Sequence, residues 1–548
     1  MSLPDFHQQS SLFSTAALSG QLFAPEDRFA IFARLIYPLL AGARSQLAKA
    51  YCADNGRPAL EPVLLLGVSL LQFLEGAPDR QALELLRYHA GWNFALNRSI
   101  GDAVFDPSAL VYFRRRLIEH DLSAVVFSSL LEGLMQAGLV ERRGKQRLDS
   151  TQMMGLLSWM SRLDIMREAL RLALQELEAS AAALARPAFW SALIERYVES
   201  KLDYRLGAEG LKSKMEQAGA DALELLGWVK SLPEKGPGQG RQLKLLRRVF
   251  EENFQLVNKA LSQREAQPPG AVQNPHEPEA QWAAKGHGKN KKEHVGYKVQ
   301  IAETAQDQPV AKGEPTRNFL TAVVTQPAIA SEDAGLEKVH QEQAAMGLEK
   351  PSELYVDAGY VDAEKLVQAQ SEGRELIGPV QGSPKRDRRF PSEDFTIDIS
   401  QRKAICPAGQ QNTQCSRLPE RGRITYRFEW RNRLCAACSL RERCLGQKQK
   451  HRTLLVGEHH NALQARRLEQ KTEAFKEKTK RRNAIEGTHS ELMRAHGLKY
   501  ARYRGEAKVR LQNYLIGAAC NAKRWIKRLQ WQLQQATLAN AVMTLQRA

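Results

Sequence analysis

Nothing in this sequence is both long enough and apolar enough to cross a membrane. The longest mostly apolar run, Val63 to Leu74, has 12 residues, against the roughly 20 that a spanning helix needs. The amino terminus, Met1-Ser2-Leu3-Pro4-Asp5-Phe6-His7, lacks the basic and apolar regions of a secretory signal. A cytoplasmic protein with no membrane partner is therefore expected. Cysteine is scarce, at 7 in 548 residues, and in that compartment it argues against a disulfide framework. Acidic residues are also in short supply: 61 Asp and Glu stand against 79 Lys and Arg, for a net charge of +18. That balance points to a polyanion as partner.

The excess charge is concentrated. From Arg441 to Arg528 there are 23 Lys and Arg but 8 Asp and Glu, a net of +15, which favours nucleic acid over mere solubility. A chain of 548 residues exceeds one ordinary core, so several structural units are expected. Composition and pattern divide it into a helical unit over 1–140, a candidate for DNA binding, with 1–25 loosely patterned. A first core strand follows over 141–157, then a helical insertion and linker over 158–281. Further core strands occupy 282–380, a cysteine-rich insertion 381–460, and a late helix with a basic helical region 461–548.

In the first unit, Asp106-Pro107 starts a helix over 107–119 that carries Arg114, Arg115 and Arg116. It reads either as a DNA-reading helix or as a core helix packed through Leu110, Phe113 and Leu117. Gln146 to Met153 breaks the helical period and reads as a strand. Helices are expected over Leu163–Leu184, Phe189–Leu206 and Leu243–Leu261, then a proline-rich connection to about Gln281. Strands follow at His294–Ile301, Phe319–Thr325 and Leu354–Val356, with a helix over about 332–346. Near the end, apolar residues at Leu511, Leu515, Ala518, Ala522, Trp525 and Leu529 mark the buried stripe of a helix. The fold class expected is α/β, a mixed sheet whose strand ends present carboxylates.

Three carboxylates carry the chemistry. Asp149 sits in the first strand, Asp357 at the end of another, and Glu486 on a late helix four residues after Arg482. Singly they read as turn formers, caps or a surface ion pair. Together, inside a basic protein, they suggest a two-metal phosphodiester site. Mg²⁺ or Mn²⁺ prefers such hard oxygen ligands, and a metal pair about 3.5–4 Å apart shares them.

The motifs Leu148-Asp149-Ser150-Thr151, Gly296-Tyr297-Lys298, Val356-Asp357-Ala358-Gly359-Tyr360, Arg482 to Gly487 and Tyr503-Arg504-Gly505 resemble, in order and context, the DDE transposases of bacterial insertion sequences. The resemblance runs from about residue 20 to 530. It implies an RNase H-like core with Asp149, Asp357 and Glu486 as catalytic metal ligands, cleavage of the element's ends, and strand transfer into target DNA. It implies terminal repeats and target DNA as partners, and a homodimer in the synaptic complex. Arg482, Arg494, Arg502, Arg504 and Lys508 join Arg114 and Arg115 as candidate DNA contacts. Where many relatives carry a tyrosine and a lysine around the glutamate, this chain has Thr479 and Met493, with Arg494 adjacent. Two other readings stay open: a metal-dependent nuclease without strand transfer, and a DNA-binding protein with an inactive core.

Five cysteines crowd into the 39 residues from Cys406 to Cys444, while Cys52 and Cys520 sit in apolar helical patterns and read as core residues. Cys435 and Cys438, with Cys406 and Cys444, have the spacing of a structural Zn²⁺ site, Cys415 being a substitute for Cys406. The other reading is a reduced, thiol-rich unit without metal. The polar, arginine-rich insert has little apolar mass to fold by itself, which favours zinc.

Overall fold

The structure is a computed structural model and describes residues 1–3, 14–52, 55–99, 101–180, 185–232, 237–258, 260–286, 291–306, 313–382, 390–420 and 422–547. Much of the expected segment 1–25 and the end of the helix expected to reach Leu184 lie outside the described residues.

The centre of the sheet is β1 (Gln146–Met154), which is followed in the chain by a small hairpin, β2 (Phe254–Val257) and β3 (Ala260–Gln263). The sheet continues with β4 (Gln281–Lys285), β5 (Lys292–Thr304), β6 (Leu320–Pro327), β7 (Glu353–Tyr355) and β8 (Glu375–Ile377). β5 runs antiparallel to β1 on one side, and β4 and β6 share its far edge. On the other side β7 and then β8 run parallel to β1. The long runs of Val, Ile, Tyr and Ala in β5 and β6 suit strands covered on both faces, and nearly all of β6 is buried.

Alternation along the strands assigns each motif residue to a face. Leu148 joins Ala302, Leu336 and Val339 under the helix Glu332–Ala345. Tyr297, Val299 and Ile301 point the other way, into a large core shared with the amino-terminal helices and the helix Glu506–Arg547. The expected stripe on that last helix is buried at Leu511, Leu515, Ala518, Ala522 and Trp525, and Leu529 packs against it. Gly517 is required there: a Cβ would stand 2.7 Å from Val323 and 3.0 Å from Phe127. Asn521 pairs with both backbone groups of Leu320, at 2.8 and 2.9 Å, satisfying backbone groups on the buried edge of β6 that no strand pairs. The amino-terminal helices therefore share one core with the sheet.

Several boundaries differ from the sequence reading. The helix expected over Phe189–Leu206 is Trp190–Ile194 closed by a π turn, Glu195–Glu199. The helix expected to reach Leu261 stops at Asn253 and gives way to the β2–β3 hairpin. The proline-rich connection is anchored: Val272 and Glu277 are buried, and Glu277 accepts hydrogen bonds from the Tyr297 hydroxyl and the Leu157 N–H. Cys520 is a core residue, but Cys52 is exposed. The cysteine-rich insert has a small core of its own, with Phe395, Phe428, Trp430, Leu454 and Val456 under a three-stranded sheet. That core corrects the expectation of an insert without apolar mass. Among the described residues no helix is long and apolar enough to cross a membrane.

Candidate active site

Asp149 lies in the middle of β1, opposite Ile301, so it leaves the sheet on the face that carries the helix Glu473–Ala495. Asp357 lies two residues past the end of β7 and caps a short 3₁₀ turn, Ala358–Tyr360. Because β7 is the parallel neighbour of β1, the two aspartates come from adjacent strands. Each has one oxygen fixed by backbone. Ser150 N–H donates to Asp149 Oδ1 at 2.8 Å, and Gly359 N–H donates to Asp357 Oδ1 at 2.7 Å. The remaining oxygen of each is turned to Arg482, whose Nη2 stands 2.8 Å from Asp149 Oδ2 and 3.8 Å from Asp357 Oδ2. One cationic nitrogen thus faces two carboxylates, whose hard oxygens are of the type a divalent cation takes as ligands. The pair fits such a cation.

Glu486 sits one helical turn beyond Arg482 and is exposed. Among the described residues it has no hydrogen-bond or ion-pair partner. His489, a further turn along, is a neighbour that the sequence reading missed. It lies close enough to Asp149 and Arg482 to sense both charges, and burial lowers its pKa while Asp149 opposes that shift. Its Nε2 is buried without a partner.

The helix is anchored by a second missed residue. Glu303 of β5 is fully buried and accepts from Arg147 Nε at 2.7 Å, Arg524 Nη1 at 2.9 Å and Thr488 Oγ1 at 2.8 Å. Burial pushes its carboxyl up, and the two guanidinium groups hold it below the usual range. Arg147 also donates to the Arg481 carbonyl at 3.2 Å. Residues flanking Asp149 and Glu486 are therefore tied to one carboxylate. A signal existed in the sequence, since Glu303 stands where the Val295, Tyr297, Val299, Ile301 alternation calls for an apolar side chain.

The candidate DNA contacts separate by environment. Arg115, Arg494, Arg504 and Lys508 include the accessible ones: Arg115 and Arg494 are exposed, and Arg494 bonds only weakly to the Ser490 carbonyl at 3.4 Å. Arg504 is exposed and Lys508 is exposed at the start of the last helix. Arg114 is buried, paired with Asp79 and placed over the Tyr503 ring. Arg116 donates to the Ala50 carbonyl, and the Arg502 guanidinium covers Phe73. The helix Ser108–Glu119 thus packs through Leu110, Phe113 and Leu117 and exposes little more than Arg115 of its three arginines.

Cys406, Cys435, Cys438 and Cys444 line one small pocket beside Trp430. Burial raises the Cys444 thiol pKa, and the other three sulfurs contribute to the shift. Cys415 lies apart, paired across strands with Phe428. A different group, Glu491, His496 and Cys520, brings ligand atoms within 4.8 Å of one another. There the buried Arg524, fixed also by Glu303, holds Glu491 Oε2 through Nε and Nη2 at 3.0 and 2.8 Å, so a cation would have to displace a guanidinium anchored more firmly than that of the less buried Arg482.

With this geometry in place, comparison with known families is informative. A transposase DDE domain model matches residues 405–526, and a transposase domain model (DUF772) matches residues 19–116. Both are transposase domains, and together they are consistent with a DDE transposase of insertion sequences. The first match covers the cysteine pocket and the helix of Glu486 but neither aspartate. No curated protein and no solved structure matches the chain.

Proposed function

We propose that the protein cleaves the ends of an insertion sequence and joins them to target DNA, using an RNase H-like core. The observation that carries this reading is the convergence of Asp149 and Asp357 on one cationic nitrogen of Arg482, one turn from Glu486. Asp149, Asp357 and Glu486 would hold divalent ions, which supply an activated water or 3′-hydroxyl and charge neutralisation at the phosphate. Asp149 and Asp357 each hold one oxygen ready through a backbone hydrogen bond, which reduces the reorganisation needed on binding. Glu486, exposed and without a partner among the described residues, would complete the ligand set. Arg482 neutralises the carboxylates and contacts phosphate when they are otherwise engaged. The sheet supports the core assignment: Asp149 is on the central strand, Asp357 ends its parallel neighbour, and Glu486 lies on a helix packed across β1. Arg115, Arg494, Arg504 and Lys508 would bind phosphate, and two copies would hold the two ends. Cys406, Cys435, Cys438 and Cys444 would hold a structural Zn²⁺.

The test is a Mg²⁺-dependent reaction on DNA carrying the inverted repeats that flank the reading frame. Joined products support the proposal. Cleaved but unjoined ends would identify a nuclease, and binding without cleavage an inactive core.

A further inference from the structure

Behind the two aspartates, on the opposite face of β1, lies a carboxylate that none of the sequence motifs contains. Glu332, at the start of the helix Glu332–Ala345, is more than half buried and collects the polar side chains of three motifs. Ser150 Oγ donates to its Oε1 at 3.0 Å, and Lys298 Nζ donates to the same oxygen at 3.0 Å. Gln300 Nε2 donates to Oε2 at 2.9 Å. The Tyr360 hydroxyl lies beside it and donates to Gln300 Oε1 at 2.5 Å. Burial pushes the Glu332 carboxyl up, but the bond from Gln300, the neighbouring Tyr360 hydroxyl and the ammonium of Lys298 hold it below the usual range.

The partners are the immediate neighbours of the candidate ligands. Ser150 follows Asp149, and its N–H fixes Asp149 Oδ1. Gly359 performs the same service for Asp357, and it packs directly on Glu332: a Cβ there would stand 3.1 Å from Glu332 Cγ. Lys298 and Gln300 sit on β5, where Ser150 faces Gln300 in register. Gln300 continues to Gln326 of β6 at 3.1 Å. Glu332 therefore joins the backbone segments of both aspartates to the two strands beside them. With Oε1 shared between a lysine and a serine, Glu332 is not itself disposed to bind a metal.

We infer that Glu332 is a positioning residue, setting the separation of Asp149 and Asp357 from behind. This rests on the proposed function, because separation matters only if the pair holds divalent ions. Positioning groups behind metal ligands commonly alter metal affinity about 10- to 100-fold when changed.

The test uses the full chain without DNA, following free Mn²⁺ by electron paramagnetic resonance alongside thermal unfolding. Glu332→Gln leaves the Lys298 ammonium buried without its counter-charge, so it is compared with Glu332→Gln/Lys298→Met, which removes that charge as well. The double variant is expected to melt close to the wild type yet bind Mn²⁺ at least about tenfold more weakly. Its cleavage reaction should need correspondingly more metal, with DNA affinity unchanged. Wild-type Mn²⁺ affinity in the double variant overturns the inference and leaves the proposed function standing. A wild-type protein that binds no more Mn²⁺ than its Asp149→Asn variant overturns the proposed function, and the inference with it.

Discussion

Arg482 Nη2 stands 2.8 Å from Asp149 Oδ2, although 333 residues separate the two in the chain. The same nitrogen reaches towards Asp357 at 3.8 Å. A single side chain of the helix thus offsets the repulsion between carboxylates delivered by two different strands.

Removal of that cation has a signature. Arg482→Met leaves two carboxylates facing each other and is expected to cost about 1 kcal/mol in a metal-free buffer. Added Mg²⁺ should then raise the unfolding midpoint more for the variant than for the wild type, because the ion supplies the missing charge. Calorimetry in EDTA and in Mg²⁺ checks this, and equal increments would contradict it.

The cysteine pocket makes a stoichiometric prediction. Protein purified without added zinc should carry about one equivalent per chain. Cys438→Ser should lose it, and Cys415→Ala should retain it because Cys415 lies outside the pocket. Elemental analysis of the three proteins decides the matter, and a metal-free wild type would mean that the small apolar core suffices.

Basic residues should divide into two kinds of variant. Charge reversal at Arg504 and Lys508 is expected to weaken binding to all DNA sequences similarly and to lower the salt slope by about one for each phosphate no longer neutralised. Arg114→Ala should instead destabilise the fold by about 1–3 kcal/mol, since it strands Asp79 in a partly buried position. An unchanged salt slope in the first pair would show those side chains to be merely solvated.

Stability should also carry the imprint of Glu342. Burial pushes its carboxyl up to about 7 from an ordinary 4.5, with Tyr514 opposing the shift. Across that window the folded protein keeps a proton that the unfolded chain has released. Its contribution is complete below about pH 4.5 and is lost as the pH rises towards 7. Glu342→Gln should gain on the wild type over that range, by at most about 3 kcal/mol. Denaturant titrations at several pH values measure the difference, and a gap that stays constant with pH would refute the assignment.

The sequence made some elements readable and hid others for physical reasons. Alternation located β5 and a β-branched run β6, while motif order and a helical spacing singled out Asp149, Asp357 and Glu486 as candidates, of which the two aspartates meet at Arg482. Glu332 was not distinguishable, because an acidic residue just after the Ser331 cap also serves the first turn of any helix. Arg114 read as a DNA contact because its partner Asp79 lies 35 residues away, beyond any local pattern. Glu491, five residues beyond Glu486 on the same helix, is held by Arg524. It is therefore a poor control for that helix, and the exposed Glu477 is a better one.

A metal set made of Asp149, Asp357 and Glu486, as proposed, stands or falls with the exposed glutamate. Glu486→Gln preserves volume and helix compatibility at an exposed position, so the fold should survive, and loss of a negative charge should leave DNA binding intact or slightly tighter. The decisive measurement is metal-dependent end cleavage by Glu486→Gln beside a binding assay, with Glu477→Gln as control. Abolished cleavage with retained binding, matched by Asp149→Asn and Asp357→Asn, is the result expected. Near wild-type cleavage by Glu486→Gln would exclude Glu486 from the metal site.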